Sequence, residues 1–256
     1  MRHASLKPSF KKTIFFTVLF LLSSFCYADK INVSISGGPT FSQLSNGTQV
    51  ALNDSVVNNY NTNKQNHWNS LWGIVISHSF ENIFNKHINI SLGLAGYSIN
   101  FRNVNGTEYP FANAGVFDTL NYQFKAQSNA LMLESRLFYT CYDWQPFVLI
   151  GIGSAWNRLS NYSEVPTDPS GSAVPLPSFS NHTNMAFSNE LGIGVQRQFF
   201  QDVAHKIRYA ASLDYRYLGF GKGQLGSSSV QTTQERLHIS NLYTQGFMLS
   251  LNASFY

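Results

Sequence analysis

Large apolar and small residues alternate in the segment Val148-Leu149-Ile150-Gly151-Ile152-Gly153-Ser154-Ala155-Trp156. Successive side chains of a β-strand point to opposite faces, so Ile150 and Ile152 share one face while Gly151 and Gly153 share the other. The same period of two returns in seven further segments, at residues 31–36, 72–80, 88–95, 131–139, 187–195, 207–217 and 247–255. The sequence therefore predicts eight strands and an all-β fold.

The connections between these strands alternate strictly between long and short. The long gaps are residues 42–67, 102–118, 158–184 and 219–241, and each is rich in Asn, Ser, Gly, Thr or Pro. The short gaps are residues 81–86, 143–145 and 198–205. Polar loops at one end of a sheet and tight turns at the other are typical of antiparallel up-and-down barrels in outer membranes. We find no internal repeat and no linker between domains.

The apolar face could point inward, as in a soluble lipocalin-like barrel, or outward into lipid. The polar phase of the strands consists of Gly, Ser, Asn and Ala, whereas the lysines after residue 28 lie in the gaps or near strand ends. This pattern favours an apolar face in lipid and small residues in a narrow lumen. Aromatic residues near both strand ends predict two interfacial girdles, with Tyr97, Phe101, Tyr122, Phe124 and Phe220 among those at the loop end.

Charges inside the strands are few and balanced. We expect a structural lumen network because unpaired charge in a narrow interior is expensive. Its predicted members are Glu134, Arg136, Glu190, Arg208, Asp214 and Arg216. A turn near residues 201–202 would place Glu190 opposite Asp214, with Arg216 and Arg136 as the candidate cations between them.

The first 28 residues predict a cleaved signal peptide. They contain four basic residues and no acidic residue, then the apolar run 14–22, and small residues at positions −3 and −1 of a cleavage site in Cys26-Tyr27-Ala28. The apolar run is too short for a transmembrane anchor, which needs about 20 residues. Phe25 is too bulky to precede a lipidated Cys26. We expect export, cleavage before Asp29, and a single barrel domain at residues 29–256.

Composition argues against several other classes of protein. Charged residues make up 12% of the 256 residues and aromatic residues 15%. Without the four basic residues of the signal segment, 13 basic residues face 13 acidic ones, so a basic nucleic-acid-binding surface is unsupported. The seven His are scattered and residues 29–256 contain only Cys141. We therefore expect neither a metal site nor a cofactor.

The chain resembles the small outer-membrane barrels of Gram-negative bacteria, of the OmpA transmembrane-domain, Opa, OmpX and OmpW type. The residues that carry the resemblance are segments 145–153, 190–195 and 213–217 and the aromatic C-terminus. The resemblance implies an eight-stranded antiparallel up-and-down transmembrane β-barrel with short periplasmic turns and four long extracellular loops. It also implies a monomer in the outer membrane of a Gram-negative bacterium, surrounded by outer-membrane lipid and lipopolysaccharide.

The resemblance further implies a C-terminal aromatic signal that is read by the barrel-assembly machinery. In this chain Tyr256 is in phase with Ser254 and Asn252, whereas Phe255 carries the apolar phase. The sequence leaves open which aromatic residue is read.

No catalytic arrangement is evident in the sequence. His78 and Ser79 are adjacent, and would point to opposite faces of a strand. His182 with Ser188 and Glu190 is the sharper candidate, because some outer-membrane barrels are lipid A deacylases that use His, Ser and Glu. Those enzymes carry His and Ser two residues apart, a spacing that is absent here. We predict a non-enzymatic protein and keep a lipid-modifying enzyme as the less favoured alternative.

Two non-enzymatic functions remain open. An eight-stranded barrel has an interior only wide enough for side chains, which excludes a general porin. In the first hypothesis the barrel is a surface scaffold whose loops mediate adhesion or contact with a host or the environment. These loops are too polar to bury a core of their own. The candidate loop contacts are the aromatic residues Tyr60, Tyr109, Phe111, Tyr162 and Phe179. In the other reading, implied by OmpW-like barrels, the protein is a narrow channel or transporter for small hydrophobic solutes.

Overall fold

The computed structural model describes residues 30–44, 47–63, 65–81, 87–113, 118–171, 173–175, 179–228 and 230–256. The signal peptide predicted at residues 1–28 lies outside this part of the chain. Within it, no helix is long and apolar enough to cross a membrane. The described residues form eleven strands: β1 (Ile31–Leu44), β2 (Gly47–Asn53), β3 (Val56–Thr62), β4 (Gln65–Phe80), β5 (Ile88–Asn100), β6 (Val104–Tyr109), β7 (Leu120–Tyr139), β8 (Trp144–Pro166), β9 (His182–Asp202), β10 (Ile207–Gln224) and β11 (His238–Phe255).

Eight of these strands form a closed ring in the order β1-β4-β5-β7-β8-β9-β10-β11. β1 pairs with β11 and closes the ring between the first and last strands, and every pair in the ring is antiparallel. The ring joins neighbours in chain order, with β2 and β3 inside the first long connection and β6 inside the second. The predicted eight-stranded up-and-down barrel is confirmed.

The outer wall of the ring carries an apolar belt. Its side chains are about half exposed or more: Ile35, Trp72, Ile74, Ile76, Leu94, Leu131, Ile150, Ile152, Leu191, Ile193, Leu213, Phe247, Leu249 and Leu251. The intervening small and polar residues are buried in the lumen, as Ser34, Ser36, Ser212 and Ser250 illustrate. A monomer in water rarely exposes so large a contiguous apolar surface. The apolar face therefore contacts lipid, and the fold is that of an outer-membrane barrel.

One part of the girdle prediction is wrong. Trp68, Trp72 and Trp156 are exposed on the outer wall near the long connections, as expected. In contrast, the structure buries Tyr97, Phe101, Tyr122, Phe124 and Phe220. Four of these side chains belong to the inward phase of their strands, and Phe101 directly follows β5; position near a strand end does not reveal this burial.

The barrel continues beyond the membrane on the side of the long connections. A membrane-spanning strand needs about 9–11 residues, whereas β7 has 20 and β8 has 23. β7 pairs with β5 along its C-terminal part and with β6 along residues 120–124. β6 pairs with β3, which pairs with β2. We call this extension the extracellular platform; it comprises Leu44, β2, β3, β6, residues 110–113, residues 120–126, residues 159–166, residue 179, residues 225–228 and residues 230–239.

The platform contains a buried apolar core that is continuous with the buried apolar residues of the lumen, although the sequence predicted loops too polar to bury a core of their own. Its buried apolar members are Leu44, Val50, Leu52, Tyr60, Val104, Tyr122, Phe124, Tyr162, Phe179, Leu225, Leu237 and Ile239. Each long connection is polar on average, but apolar residues from all four connections pack together in this one core. The strands β2, β3 and β6 also pair most of the backbone polar groups that burial would otherwise leave unsatisfied.

The fourth long connection covers the open edge of β2. Thr232 donates its backbone N–H to the carbonyl of Leu52 at 2.8 Å, and the backbone N–H of Ala51 donates to Glu235 Oε2 at 2.6 Å. An isolated bridge joins Phe179 of the third connection to Ser228 of the fourth. All four long connections therefore contribute to one packed body above the barrel.

Candidate functional site

The middle of the lumen is occupied by the guanidinium of Arg216, which is completely buried. Arg216 Nε donates to Asp214 Oδ2 at 2.8 Å, and Nη1 lies 2.9 Å from Glu190 Oε1. Nη1 also donates to the hydroxyl of Tyr97 at 2.5 Å. β10 supplies Arg216 and Asp214, β9 supplies Glu190, and β5 supplies Tyr97. One arginine thus joins three strands from inside the ring.

A second cation extends the network along β7. Arg136 Nε donates to Glu134 Oε1 at 2.5 Å, and Tyr97 donates its hydroxyl to Glu134 Oε2 at 2.6 Å. Glu134 Oε2 is also 3.9 Å from Arg216 Nη1. These five charged residues, together with Tyr97, are all at least nine-tenths buried. The structure therefore brings together five of the six predicted network residues, and they fill the lumen at this level.

Two features of the predicted network are wrong. Glu190 is opposite Leu218, and Asp214 is opposite Gly194, so the register differs from the predicted one by four residues. The turn lies at residues 203–206 and not at 201–202, and a register shift between Tyr209 and Ala210 changes the pairing further. Arg208, the sixth predicted member, lies outside the network, where its guanidinium carbon is 4.8 Å from the ring centre of Tyr256.

The prediction missed Tyr97. Its hydroxyl accepts a hydrogen bond from Arg216 and donates one to Glu134, which is the partner of Arg136. A signal was present in the sequence: Tyr97 is in phase with Gly93 and Ala95, the small residues of β5, and out of phase with Leu94. The prediction assigned Tyr97 to the interfacial girdle because it lies near the end of its strand, and did not use this phase. A second local requirement is at Gly151, where a Cβ would lie 2.9 Å from Glu190 Oε2. Glycine there leaves room for the Glu190 carboxylate.

The two terminal aromatic residues differ in environment. Phe255 is 43% exposed and belongs to the outward phase of β11. The Tyr256 ring lies at the turn end of the barrel. Lys30 Nζ is 4.3 Å from the centre of this ring, and the guanidinium carbon of Arg208 is 4.8 Å from it. Phe255 is therefore the residue that continues the apolar phase to the last strand position, as the sequence indicated.

A buried carboxyl lies at the centre of the platform. Glu108 Oε1 accepts hydrogen bonds from Asn58 Nδ2 at 2.6 Å and from the Tyr60 hydroxyl at 3.0 Å. Tyr162 lies between two carboxyls, with its hydroxyl 3.3 Å from Glu108 Oε2 and 2.6 Å from Glu164 Oε1. Burial, reinforced by the nearby charge of Glu164, raises the pKa of Glu108 to about 8. Burial also raises the pKa of Tyr122 to about 12.

Asn58 connects this carboxyl to an exposed aromatic residue. While its amide nitrogen donates to Glu108, its Oδ1 accepts the backbone N–H of Phe111 at 3.1 Å. Phe111 has a φ of 50°, a left-handed conformation that is uncommon for a bulky residue. Its side chain is 40% exposed, and that of Tyr109 is 39% exposed. The buried polar cluster thus holds the backbone that presents this pair.

The remaining candidate loop contacts are not on the surface. Tyr60, Tyr162 and Phe179 are 1%, 7% and 4% exposed, so the expectation that they are exposed is wrong. They pack on one another, with ring centres 5.8 Å apart for Tyr60 and Phe179 and 5.1 Å apart for Tyr162 and Phe179. Their large apolar area is used inside the platform core.

The catalytic candidates do not come together. His182 is exposed at the first residue of β9, whereas Ser188 and Glu190 are buried in the lumen. Ser188 follows His182 by six positions, which corresponds to about 20 Å of extended strand, too far for a base and a nucleophile to share a proton. Among the described residues, no group of three or more His, Cys, Asp or Glu could hold a metal ion.

No family model and no curated protein matches this sequence. The solved structures that are similar in fold include the following three. Neisserial surface protein A is 8% identical over 88% of this chain and 96% of its own, with a TM-score of 0.41. Outer membrane protein AlkL is 13% identical over 89% of each chain, with a TM-score of 0.35. The attachment invasion locus protein Ail of Yersinia pestis is 13% identical over 88% of this chain and 98% of its own, with a TM-score of 0.32.

These likenesses do not carry the assignment of the fold, which rests on the closed ring of strands and its apolar belt. By those two features, the chain is an eight-stranded β-barrel of the outer-membrane type.

Proposed function

We propose that the protein is a non-enzymatic surface scaffold, whose extracellular platform contacts a partner outside the cell through Tyr109 and Phe111. The observation that carries the proposal is the exposed Phe111 side chain on a left-handed backbone held by Asn58. Unusual backbone conformations persist where the surroundings enforce them, and they cluster at functional sites. Exposed aromatic residues are also those that contribute most to binding when a partner buries them.

The rigidity of the platform supports this proposal. A loop that must order on binding loses affinity to conformational entropy, whereas a preorganised surface does not. Asn58 is buried, and it accepts from Phe111 while donating to Glu108. Ala112 donates its backbone N–H to the carbonyl of Val57 at 2.8 Å. The backbone at Phe111 and Ala112 is therefore held by hydrogen bonds in the protein without a partner.

The filled lumen favours the scaffold over the narrow channel. Arg216 is 0% exposed, and the side chains around it join β5, β7, β9 and β10 across the interior. A solute would have to break this ion-pair network to pass. The alternative of a channel for small hydrophobic solutes requires a path that these residues occupy.

The proposal can be tested on whole cells that display the protein. Attachment to polystyrene and to a cultured epithelial monolayer would be compared for the wild type and a Tyr109→Ala/Phe111→Ala double variant. The matched control is Tyr142→Ala, which removes a 94% exposed aromatic residue from a short turn at the opposite end of the barrel. The proposal predicts that the double variant loses attachment to at least one surface while Tyr142→Ala retains it. Equal attachment of all three proteins, at equal surface levels, would refute it.

A further inference from the structure

A polar cavity of about 70 Å³ lies at the turn end of the lumen, below the ion-pair network. All eight strands of the ring contribute to its wall, which includes Ser34, Arg136, Gln145, Gln196, Arg208 and Asn252. We call it the periplasmic vestibule. The scaffold function proposed above makes no use of it, because it opens on the opposite side of the membrane from the platform.

Three buried polar atoms of the vestibule wall have no hydrogen-bond partner among the described residues. They are Ser34 Oγ, Arg136 Nη2 and Arg208 Nε. Arg136 is only 5% exposed, and its Nε already donates to Glu134, so Nη2 is a further donor of a buried cation. Buried polar groups nearly always have a hydrogen-bond partner. Three such atoms without a partner around one cavity therefore indicate a bound molecule or ion that forms hydrogen bonds with them.

The chemistry of the wall selects an anion. An arginine side chain can only donate hydrogen bonds, so its partner must be an acceptor. The charged residues that line the vestibule are Lys30, Glu81, Arg136 and Arg208. Lys30 forms an ion pair with Glu81, and Arg136 pairs with Glu134 above the cavity. Within the described residues, Arg208 has no carboxylate partner, which leaves the vestibule with an excess positive charge.

From these observations we infer that the periplasmic vestibule binds a small oxyanion of the phosphate class, held between Arg136 and Arg208 with Ser34 as a further donor. Guanidinium groups match the tetrahedral oxygens of phosphate by two-pronged hydrogen bonding. The cavity volume of about 70 Å³ admits one such group. Tyr256, beneath Lys30 and Arg208, lies at the rim.

The test is a titration of the purified, detergent-refolded full barrel with inorganic phosphate, followed by ³¹P NMR and calorimetry at low chloride. Arg208→Gln removes the uncompensated cation and leaves the Glu134–Arg136 pair in place. The matched control is Arg197→Gln, which makes the same change on the outer wall, where Arg197 lies 5.0 Å from the Trp144 ring centre. Heat-dependent mobility on a gel verifies that each protein is a closed barrel.

We expect saturable phosphate binding to the wild type, binding weakened at least about tenfold in Arg208→Gln, and unchanged binding in Arg197→Gln. Ser34→Val, which replaces the hydroxyl by a methyl group of similar size, should also weaken binding and serves if Arg208→Gln does not fold. Glycerol 3-phosphate and acetate are the comparison probes: equal binding of glycerol 3-phosphate would indicate a headgroup phosphate at the rim, and weaker binding would indicate free phosphate. No saturable phosphate binding to the wild type, or equal binding by all the variants, overturns the inference.

Discussion

Arg216 Nη1 lies 2.9 Å from Glu190 Oε1, and this ion pair links β10 to β9 inside the lumen. On β10 itself the same guanidinium donates to Asp214 two residues away. Two acids therefore share one cation in an interior from which solvent is largely excluded. Burying an ion pair costs desolvation, but removing one partner costs more because it leaves an uncompensated charge. The barrel is consequently sensitive to single substitutions at this point.

Replacing Arg216 should destabilise the barrel far more than replacing an arginine of the fourth long connection. Arg216→Ala leaves Glu190 and Asp214 buried without their cation, for a loss of about 3 kcal/mol. Arg236→Ala is the control, since Arg236 takes no part in the ion pairs of the described residues. Urea midpoints of the two variants in the same detergent measure the difference, and coincident midpoints would show that the network does not stabilise the fold.

The platform should loosen as the pH rises from about 5 to above 8. The folded-state pKa of Glu108 is raised to about 8 from 4.5, so the folded state retains a proton that the unfolded segment has already released. The stability of the platform therefore falls with rising pH across that window.

Hydrogen exchange of the β3 and β6 amides, corrected for the intrinsic effect of pH, checks this expectation. Glu108→Gln keeps a neutral side chain at every pH and should make the protection independent of pH. Asp54→Asn, an exposed change in the connection between β2 and β3, should leave the pH dependence as in the wild type. A Glu108→Gln protein with the wild-type pH profile would exclude Glu108 as the titrating group.

Cys141 offers a test of orientation. It is a free and exposed cysteine between β7 and β8, on the side of the short turns. A membrane-impermeant maleimide should leave it unlabelled in intact cells and label it after the outer membrane is permeabilised. In a Cys141→Ser background, Ser170→Cys in the third long connection should behave in the opposite way. Labelling of Cys141 in intact cells would mean that the barrel is inverted.

Phe255 should contribute more to barrel assembly than Tyr256. Phe255 is in the lipid-facing phase with Leu251, whereas Tyr256 lies against Lys30 and Arg208 at the lumen rim. We expect Phe255→Ala to lower the folded fraction in the outer membrane and Tyr256→Ala to leave it nearly unchanged. The heat-shifted band on a gel measures the folded fraction for each variant. A larger loss for Tyr256→Ala would assign the assembly signal to the last residue.

The barrel was predictable because a period of two is a strong local signal. Ile150 and Gly151 differ so much in size that their alternation marks the two faces without knowledge of any contact. Balanced charge within the strands likewise predicted that Glu134, Glu190, Asp214 and Arg216 belong together, and in the structure the three carboxylates lie within 4 Å of the Arg216 guanidinium. Their exact partners were not predictable, since pairing depends on where the turn at residues 203–206 falls.

The platform could not be predicted in the same way. Val50 and Leu52 alternate over only a few residues within a connection dominated by Asn, Ser and Thr, so average composition hides them. They are buried in one cluster with Tyr162 and Leu237, which come from two other connections. The exposure of Phe111 and the burial of Tyr60 follow from that packing and have no local signature.

The conductance of single barrels in a planar lipid bilayer tests the central claim, that side chains fill the lumen and the protein acts from its surface. Tyr97 and Arg216, both buried, are the two large side chains that join the network across the ring. A lumen filled by these side chains should give no stable conductance for the folded wild type, and measurable conductance for a Tyr97→Ala/Arg216→Ala variant inserted under the same conditions. A stable conductance of the wild type would show that the lumen is open and would favour the channel.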